Sequence, residues 1–99
     1  MEFRVLKYFL MVAREENITK AAALLHLTQP TLSRQLMQLE EELGVKLFHR
    51  SKHSIILTED GMLLNRRAQE IVSLSDKTVQ ELSHKEDVLS GEIAIGCKV

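Results

Sequence analysis

A cluster of short hydrogen-bonding side chains lies between residues 28 and 35 of this chain, together with one arginine. Gln can pair with the edge of adenine and Arg with the edge of guanine, while Thr and Pro side chains can contact the methyl group of thymine. Short side chains also allow the backbone that carries them to approach the bases. These residue types predict contacts with DNA bases from Gln29, Pro30, Thr31, Ser33 and Arg34.

Structural interpretations of the same residues stay open. Thr31 and Ser33 are common residue types at the start of a helix, where they can cap free backbone N–H groups. Arg34 could instead point into solvent or pair with an acid such as Glu41 or Glu42. The residue types alone do not choose between base contact and these roles.

A second group of candidate contacts is basic. Cationic side chains bind the phosphates of nucleic acid. The formal net charge of the whole chain is only −1, but residues 1–57 carry +2 and residues 58–99 carry −3. DNA is therefore expected to contact the first half, where the backbone or minor groove would meet Lys46, Arg50, Lys52 and His53. Lys46 could equally pair with Glu42, four residues earlier.

The apolar residues of the first half recur at helical spacing and predict three helices. A first amphipathic helix covers residues 2–15. Thr19 can cap a second helix, and the small residues Ala21-Ala22-Ala23 let a partner helix cross it closely. Thr28 can cap a third helix over residues 29–43, with Pro30 in its first turn. One stripe of this third helix is expected to face the core at Leu32, Leu36, Leu39 and Leu43.

The starts of the second and third helices and the end of the third carry two further expectations. Free N–H groups at helix starts attract phosphate, so Thr19 and Thr28 join the predicted backbone contacts. The acidic run Glu40-Glu41-Glu42 is typical of a solvated helix face, although Glu40 could instead hold another element through a salt bridge.

Residues 46–57 change their pattern and predict a short hairpin. Leu47-Phe48 are apolar, residues 49–54 are polar and basic, and Ile55-Ile56-Leu57 favour a strand. Thr58 then begins a long helix that is expected to end near Asp87. Gly61 lies near its start, where glycine costs little. The fold class predicted is mainly α: three helices and a short β-hairpin wing, which form a winged helix-turn-helix, followed by a long dimerisation helix.

The long helix exceeds what a small domain can cover. Its apolar and small residues follow an imperfect heptad spacing, which favours pairing with the same helix of a second chain. The alternative is that this face covers the first helix of its own chain. The dimer interface is predicted at Leu64, Ala68, Ile71, Ser75, Val79 and Leu82.

A break in the helical pattern follows at Ser90-Gly91. Residues 92–96 alternate like the start of a strand, which would have no strand to pair with. The predicted organisation is a DNA-binding domain over 1–57, a linker helix over 58–89, and the start of a truncated effector-binding domain over 90–99.

Other chemistry has little support in the sequence. Histidines 26, 49, 53 and 84 have no partners at metal-binding spacing, and Cys97 has no His and acid constellation beside it. No metal, cofactor or enzymatic activity is therefore expected. No apolar run approaches the roughly 20 residues of a membrane span. A location in the cytoplasm is expected.

Four motifs together resemble the LysR-type family of bacterial transcription regulators. They are TKAA at 19–22, QPTLS at 29–33, LEEELGVKLFHR at 39–50 and LTEDG at 57–61, with GEIAIG at 91–96 matching the opening of that family's effector domain. The resemblance covers the whole chain and is specific in combination.

This resemblance implies a dimer that binds an interrupted, partly palindromic double-stranded operator. It also implies tetramers in the full-length protein and a small-molecule effector bound by the missing C-terminal domain. The family's base contacts correspond to Gln29, Pro30, Thr31, Ser33 and Arg34, and its wing contacts to Arg50, Lys52 and His53.

Two competing hypotheses remain at this point. The near-neutral charge motivates a protein-interaction domain whose winged fold has lost DNA binding. The other competing hypothesis is the regulatory head of a larger enzyme or transport regulator, with the DNA domain appended.

Overall fold

Four helices and one two-stranded sheet form the part of the chain that the computed structural model describes. These described residues are 1–52 and 54–97, with side chains described as far as residue 83. Their order is α1 (Phe3–Glu15), α2 (Ile18–Leu24), α3 (Gln29–Leu43), β1 (Phe48–Arg50), β2 (Ile55–Leu57) and α4 (Glu59–Cys97). The mainly helical fold with a hairpin wing and a long final helix confirms the predicted class.

The first three helices pack around one apolar core. The side chains of Phe9, Leu32 and Leu36 are completely buried, and the ring of Phe9 lies 5.2 Å from that of Phe48 in β1. The predicted stripe of α3 is correct for three of its leucines. It is wrong for Leu43, which is 39% exposed because it lies in the last turn, beyond this core.

The starts of α2 and α3 are both capped by side chains. The hydroxyl of Thr28 accepts a hydrogen bond from the N–H of Thr31 at 3.3 Å, as its position predicts. The cap of α2 is Asn17 rather than Thr19, since the Asn17 carboxamide oxygen accepts from the N–H of Lys20 at 2.9 Å. Asn17 has the extended backbone of a cap, so α2 begins earlier than expected and Thr19 lies inside it.

The wing is an antiparallel hairpin attached to the helical body. Arg50 lies opposite Ile55 across the pair, and the N–H of Ser51 donates to the carbonyl of Ser54 at 2.9 Å to close the tip. The N–H of Ile55 also donates to the carbonyl of Glu16 at 3.4 Å, which links β2 to the end of α1. The expected hairpin is therefore present, and the start of its second strand is joined to the end of the first helix.

The last helix begins where the sequence predicts and continues further than expected. The hydroxyl of Thr58 accepts from the N–H of Gly61 at 3.0 Å, and Glu59 and Asp60 occupy the first turn, next to the positive end of the helix dipole. Its 39 residues reach Cys97, a length of about 58 Å at about 1.5 Å per residue.

The expected helix end near Asp87 and the strand over 92–96 are wrong. Within the described residues the strands are β1 and β2, and these pair with each other. A segment with no neighbouring strand leaves its backbone groups unpaired when extended, whereas a helix pairs them internally. The division at residue 89 or 90 is thus marked by no change of secondary structure, and the three-part domain organisation stays a prediction.

The start of α4 packs on α1, which changes the role of one predicted interface residue. Ala68 is completely buried and Leu64 is partly buried against the same core. Ala68 is therefore covered by its own chain, and placing it in a dimer interface was wrong. The alternative of an intramolecular cover is correct for this part of the helix. None of the described helices has both the length and the apolar character needed to cross a membrane.

Candidate nucleic-acid interface

The outer face of α3 is open because its opposite face is anchored in the core. Leu32, Leu36 and Leu39 are buried, which turns Pro30 and Arg34 outward. These outward residues border a shallow groove of about 490 Å³, together with Ser33, Met37, Gln38 and Glu41. The candidate base-reading residues Pro30, Ser33 and Arg34 thus share one surface.

Met37 and Gln38 extend this surface beyond the residues that were singled out as base contacts. Gln38 lies one helical turn after Arg34, so the spacing of four residues could have identified it. Met37 gave no such signal, because an apolar side chain in a helix is normally expected in the core. It is instead 54% exposed.

Gln29, Thr31 and Thr19 are brought together at the start of α3. The hydroxyl of Thr19 donates to the side-chain oxygen of Gln29 at 3.0 Å, which joins α2 to the first residue of α3. Thr31 is partly buried, and its hydroxyl accepts from that of Thr28 at 2.8 Å. Thr31 therefore takes part in the start of α3 as the residue whose N–H is capped by Thr28, and its own hydroxyl contacts the Thr28 hydroxyl rather than a backbone N–H group.

A polar cleft of about 310 Å³ separates the start of α3 from the wing. Arg50 and Lys52 approach it from the wing, and Thr19 and Gln29 from the helices. The remaining polar residues of its lining are Asn17, Ser51 and Ser54. Candidate base-reading and phosphate-binding side chains, which the chain separates by about twenty residues, thus face one space. His53 lies outside the described residues.

The guanidinium of Arg50 lies near a buried acid, Glu40. Its guanidinium Nη2 lies 3.9 Å from Oε1 of Glu40, whose side chain is 5% exposed. The other carboxylate oxygen of Glu40 accepts from the N–H of Leu47 at 2.8 Å and from that of Phe48 at 3.4 Å. The solvated interpretation of Glu40 is therefore wrong, and the salt-bridge alternative is correct.

Lys46 is exposed but does not line the cleft. It borders a separate groove at the C-terminal end of α3, with Met37, Glu41 and Gly44. The expected alternative partner, Glu42, instead pairs with the amino group of Met1. Of the three lysines and arginines singled out in the wing, the structure therefore brings two, Arg50 and Lys52, to the cleft.

Lys20, which follows the cleft residue Thr19 in the chain, is partly neutralised by the acid Glu15. Arg14 donates a hydrogen bond to Glu15 at 2.9 Å, and Lys20 lies 3.4 Å from the same carboxylate. The Arg14 hydrogen bond, supported by Lys20, lowers the pKa of Glu15 below its ordinary value against the opposing effect of desolvation. Lys20 is thus shared with an acid, and the accessible positive charge beside the cleft comes mainly from the wing.

The outer half of α4 exposes apolar side chains. Ile71, Val79 and Leu82 are 40%, 61% and 60% exposed, whereas Ser75 is half-buried. Large apolar groups repeated along an exposed helix favour a partner. Leu74 is also exposed, at 65%, and was not predicted as an interface residue because it lies outside the heptad positions.

The described part of the chain contains no group of three His, Cys, Asp or Glu side chains placed to hold a metal ion.

Known families and proteins share this sequence pattern. Residues 3–62 match the family described as bacterial regulatory helix-turn-helix protein, lysR family. The HTH-type transcriptional regulator BsdA of Bacillus subtilis is 43% identical over 100% of this chain and 34% of its own length. The HTH-type transcriptional regulator BudR of Klebsiella aerogenes is 42% identical over 97% of this chain and 67% of its own length. The chain thus spans about a third of BsdA.

Two solved protein–DNA complexes are similar to this chain in sequence and fold. The DNA complex of CbnR_DBD has a TM-score of 0.81 at 40% identity, covering 86% of this chain and 98% of that one. The complex of BenM_DBD with catB site 1 DNA also has a TM-score of 0.81, at 39% identity, over 85% and 93% of the two chains.

Proposed function

We infer the function of this chain from its family: it belongs to the lysR family of bacterial regulatory helix-turn-helix proteins. We propose that it binds double-stranded DNA sequence-specifically, as the DNA-binding part of a transcription regulator. In this proposal α3 lies in the major groove, and the wing lies on the backbone or minor groove. We also propose that the chain acts in the cytoplasm, where bacterial DNA lies.

The observation that carries this proposal is the cleft in which a side chain of α3 that can read base edges faces two cations of the wing. Arg34 stands on the open face of α3 beside a groove, while Gln29 faces Arg50 and Lys52 across the cleft. Helix residues that can read base edges then lie beside cations that can bind phosphate. The DNA complexes of CbnR_DBD and BenM_DBD, with the same fold, support this assignment.

We propose that the chain binds its two-half-site operator as a dimer, formed by the exposed apolar residues of α4. Ile71, Val79 and Leu82 carry most of the exposed surface, with Ser75 and Leu64 at its inner edge. A dimer places two copies of α3 against two half-sites, which explains why an operator would be an interrupted palindrome. Because the chain spans about a third of BsdA, tetramers and a small-molecule effector are proposals for a longer protein only.

Selection from a pool of random DNA duplexes tests the proposed function. The purified chain is mixed with the pool, bound duplexes are sequenced, and fluorescence anisotropy is then measured at two salt concentrations. We expect an enriched interrupted palindrome, whose half-site spacing reports the dimer geometry. Weak, salt-sensitive binding with no enriched sequence would contradict specific recognition by this chain and favour the interaction-domain alternative.

A further inference from the structure

Glu40 is a buried acid for which the proposed DNA contacts have no direct use. It lies in the last turn of α3, and its side chain is 5% exposed. A buried carboxylate is costly unless it is paired and hydrogen-bonded. The burial of the Glu40 carboxylate therefore has to be explained by the groups that it contacts.

The carboxylate of Glu40 contacts the wing at both ends of β1. Oε2 accepts from the N–H groups of Leu47 and Phe48, where the chain enters the strand. Oε1 lies 3.9 Å from the guanidinium of Arg50, where the strand ends. One side chain of α3 thus contacts the backbone and the most central cation of the wing.

The backbone of Glu40 also directs the chain from α3 toward the wing. Its carbonyl accepts from the N–H of Gly44 at 2.8 Å and from that of Val45 at 3.2 Å. Gly44 has a left-handed φ of 73°, which turns the chain at this point. Backbone and side chain of one residue therefore join the end of the helix to the beginning of the wing.

We propose that Glu40 is a positioning residue for DNA binding, which sets the wing and its Arg50 guanidinium against α3. The inference rests on the proposed function. Arg50 lines the cleft that also contains Gln29 and Lys52, so its direction decides whether it meets phosphate while α3 meets base edges. A guanidinium that is already oriented loses less side-chain freedom when DNA binds. Glu40 itself does not contact DNA.

The test combines two variants at Glu40 with one at Arg50, all in the 99-residue chain. Glu40→Gln keeps an oxygen that can accept from the N–H of Leu47 but removes the charge facing Arg50. Glu40→Ala removes both. Glu42→Gln is the matched control, because it removes one acidic charge from an exposed position of the same helical turn that lines neither the cleft nor the groove beside Arg34.

Amide hydrogen exchange, followed by NMR, tests the attachment of the wing without DNA. We expect exchange at Leu47 to be about tenfold faster in Glu40→Ala, as for a lost hydrogen bond, and close to wild type in Glu40→Gln and Glu42→Gln. Unchanged exchange in Glu40→Ala overturns the attachment. If Glu40→Ala does not fold, the Glu40→Gln comparison below still decides the proposal.

Fluorescence anisotropy with a labelled duplex of about 25 base pairs tests the effect on Arg50. This length holds two half-sites one helical turn apart. We expect Glu40→Gln to lower affinity about threefold to tenfold, and the loss to disappear when Arg50→Ala is already present, since contacting residues are coupled by such factors. Glu42→Gln reports the general effect of removing one acid.

Each other outcome has a distinct meaning. A gain in affinity for Glu40→Gln larger than that of Glu42→Gln shows that Glu40 only restrains Arg50, and overturns the proposal. An equal loss with and without Arg50 shows a merely structural role and also overturns it. Wild-type chain that binds no duplex at low salt overturns the proposed function itself, whereas the exchange experiment still reports on the wing.

Discussion

Arg34 and Lys52 are both exposed cations on the proposed DNA-binding side, yet their positions predict different effects on binding. Arg34 lies on the face of α3 that is directed away from the core, where a guanidinium can pair with two acceptors of guanine. Lys52 lies at the wing, beside the cleft, where an ammonium group binds phosphate without reading sequence. Exchange of each for alanine separates the two roles.

Arg34→Ala is expected to weaken binding to the selected duplex by about 1–3 kcal/mol and to relax the preference at one base step. The measurement is anisotropy with the selected duplex and with single-base variants of it. Lys52→Ala is the matched control and is expected to weaken binding to all of them uniformly, with a salt slope flatter by about one. Equal losses on every duplex for Arg34→Ala would remove Arg34 from base reading.

Gly61 is required for a reason that the sequence pattern did not indicate. A Cβ at this position would lie 2.1 Å from the carbonyl oxygen of Leu47, which is backbone and cannot move away cheaply. The close approach brings the first turn of α4 against the base of the wing, where the N–H of Thr58 also donates to Leu47. A small helix-propensity cost was expected here, but steric contact dominates.

Gly61→Ala is expected to lower the free energy of unfolding by about 1–3 kcal/mol, the usual cost of overpacking, although alanine is the better helix former. Chemical denaturation measures it. Gly44→Ala is the comparison: Gly44 has a left-handed φ but open space around its Cβ position, so its cost comes from conformation alone, about 1 kcal/mol. A stabilised Gly61→Ala chain would contradict the close approach.

The helices of the DNA-binding region begin at short polar side chains, and the start of α2 shows how local these signals are. Asn17 and Thr19 are both acceptable N-cap types, two residues apart. Asn17 is the cap in the structure, because its carboxamide accepts from the N–H of Lys20. Thr19 is thereby left free to donate to Gln29 at the start of α3, which is how one capping choice shapes the candidate interface.

Asn17→Ala is expected to lower the free energy of unfolding by about 1 kcal/mol, because a free N–H of α2 loses its cap. Thr19→Ala lies inside the helix and should cost much less, even though its hydrogen bond to Gln29 is lost. Thermal and urea unfolding without DNA measure both. A larger loss of unfolding free energy for Thr19→Ala than for Asn17→Ala would indicate that Thr19 is the cap.

The whole molecule combines a small DNA-binding region with a helix much longer than that region needs. The longest dimension of the chain is 59 Å, close to the length of α4 alone. The helix therefore has two parts: the inner part packs on α1 through Ala68, and the outer part exposes Val79 and Leu82. The same helix can thus contribute to the core and to a dimer without conflict.

Leu82→Asp is expected to weaken dimerisation and, through it, binding to the palindromic duplex, while a single half-site is bound as before. An aspartate at the interface would be desolvated with no partner. Analytical ultracentrifugation over a range of concentrations measures the dimer. Ala68→Asp is the control: it should instead unfold the chain, since Ala68 is buried against α1. A Leu82→Asp chain that dimerises like wild type would show that the dimer interface does not include Leu82.

Patterns that depend only on neighbouring residues can be predicted from the sequence by itself. The periodicity of the three helices, the Thr28 cap, the Gly44 end and the hairpin at residues 48–57 all follow from local preferences, and the structure contains them. The motifs are specific enough to indicate the family. The outward positions of Pro30 and Arg34 also follow, since they are opposite the leucine stripe.

Contacts between distant residues are decided only by the folded chain. A helical spacing cannot say which helix covers Ala68, an acidic run cannot say which acid will be buried, and a glycine near a helix start does not reveal the carbonyl beside it. Ala68 against α1, Glu40 beneath the wing and Gly61 against Leu47 all depend on where separate elements meet. Burial and close approach arise from packing, which is set by the fold as a whole rather than by any one segment.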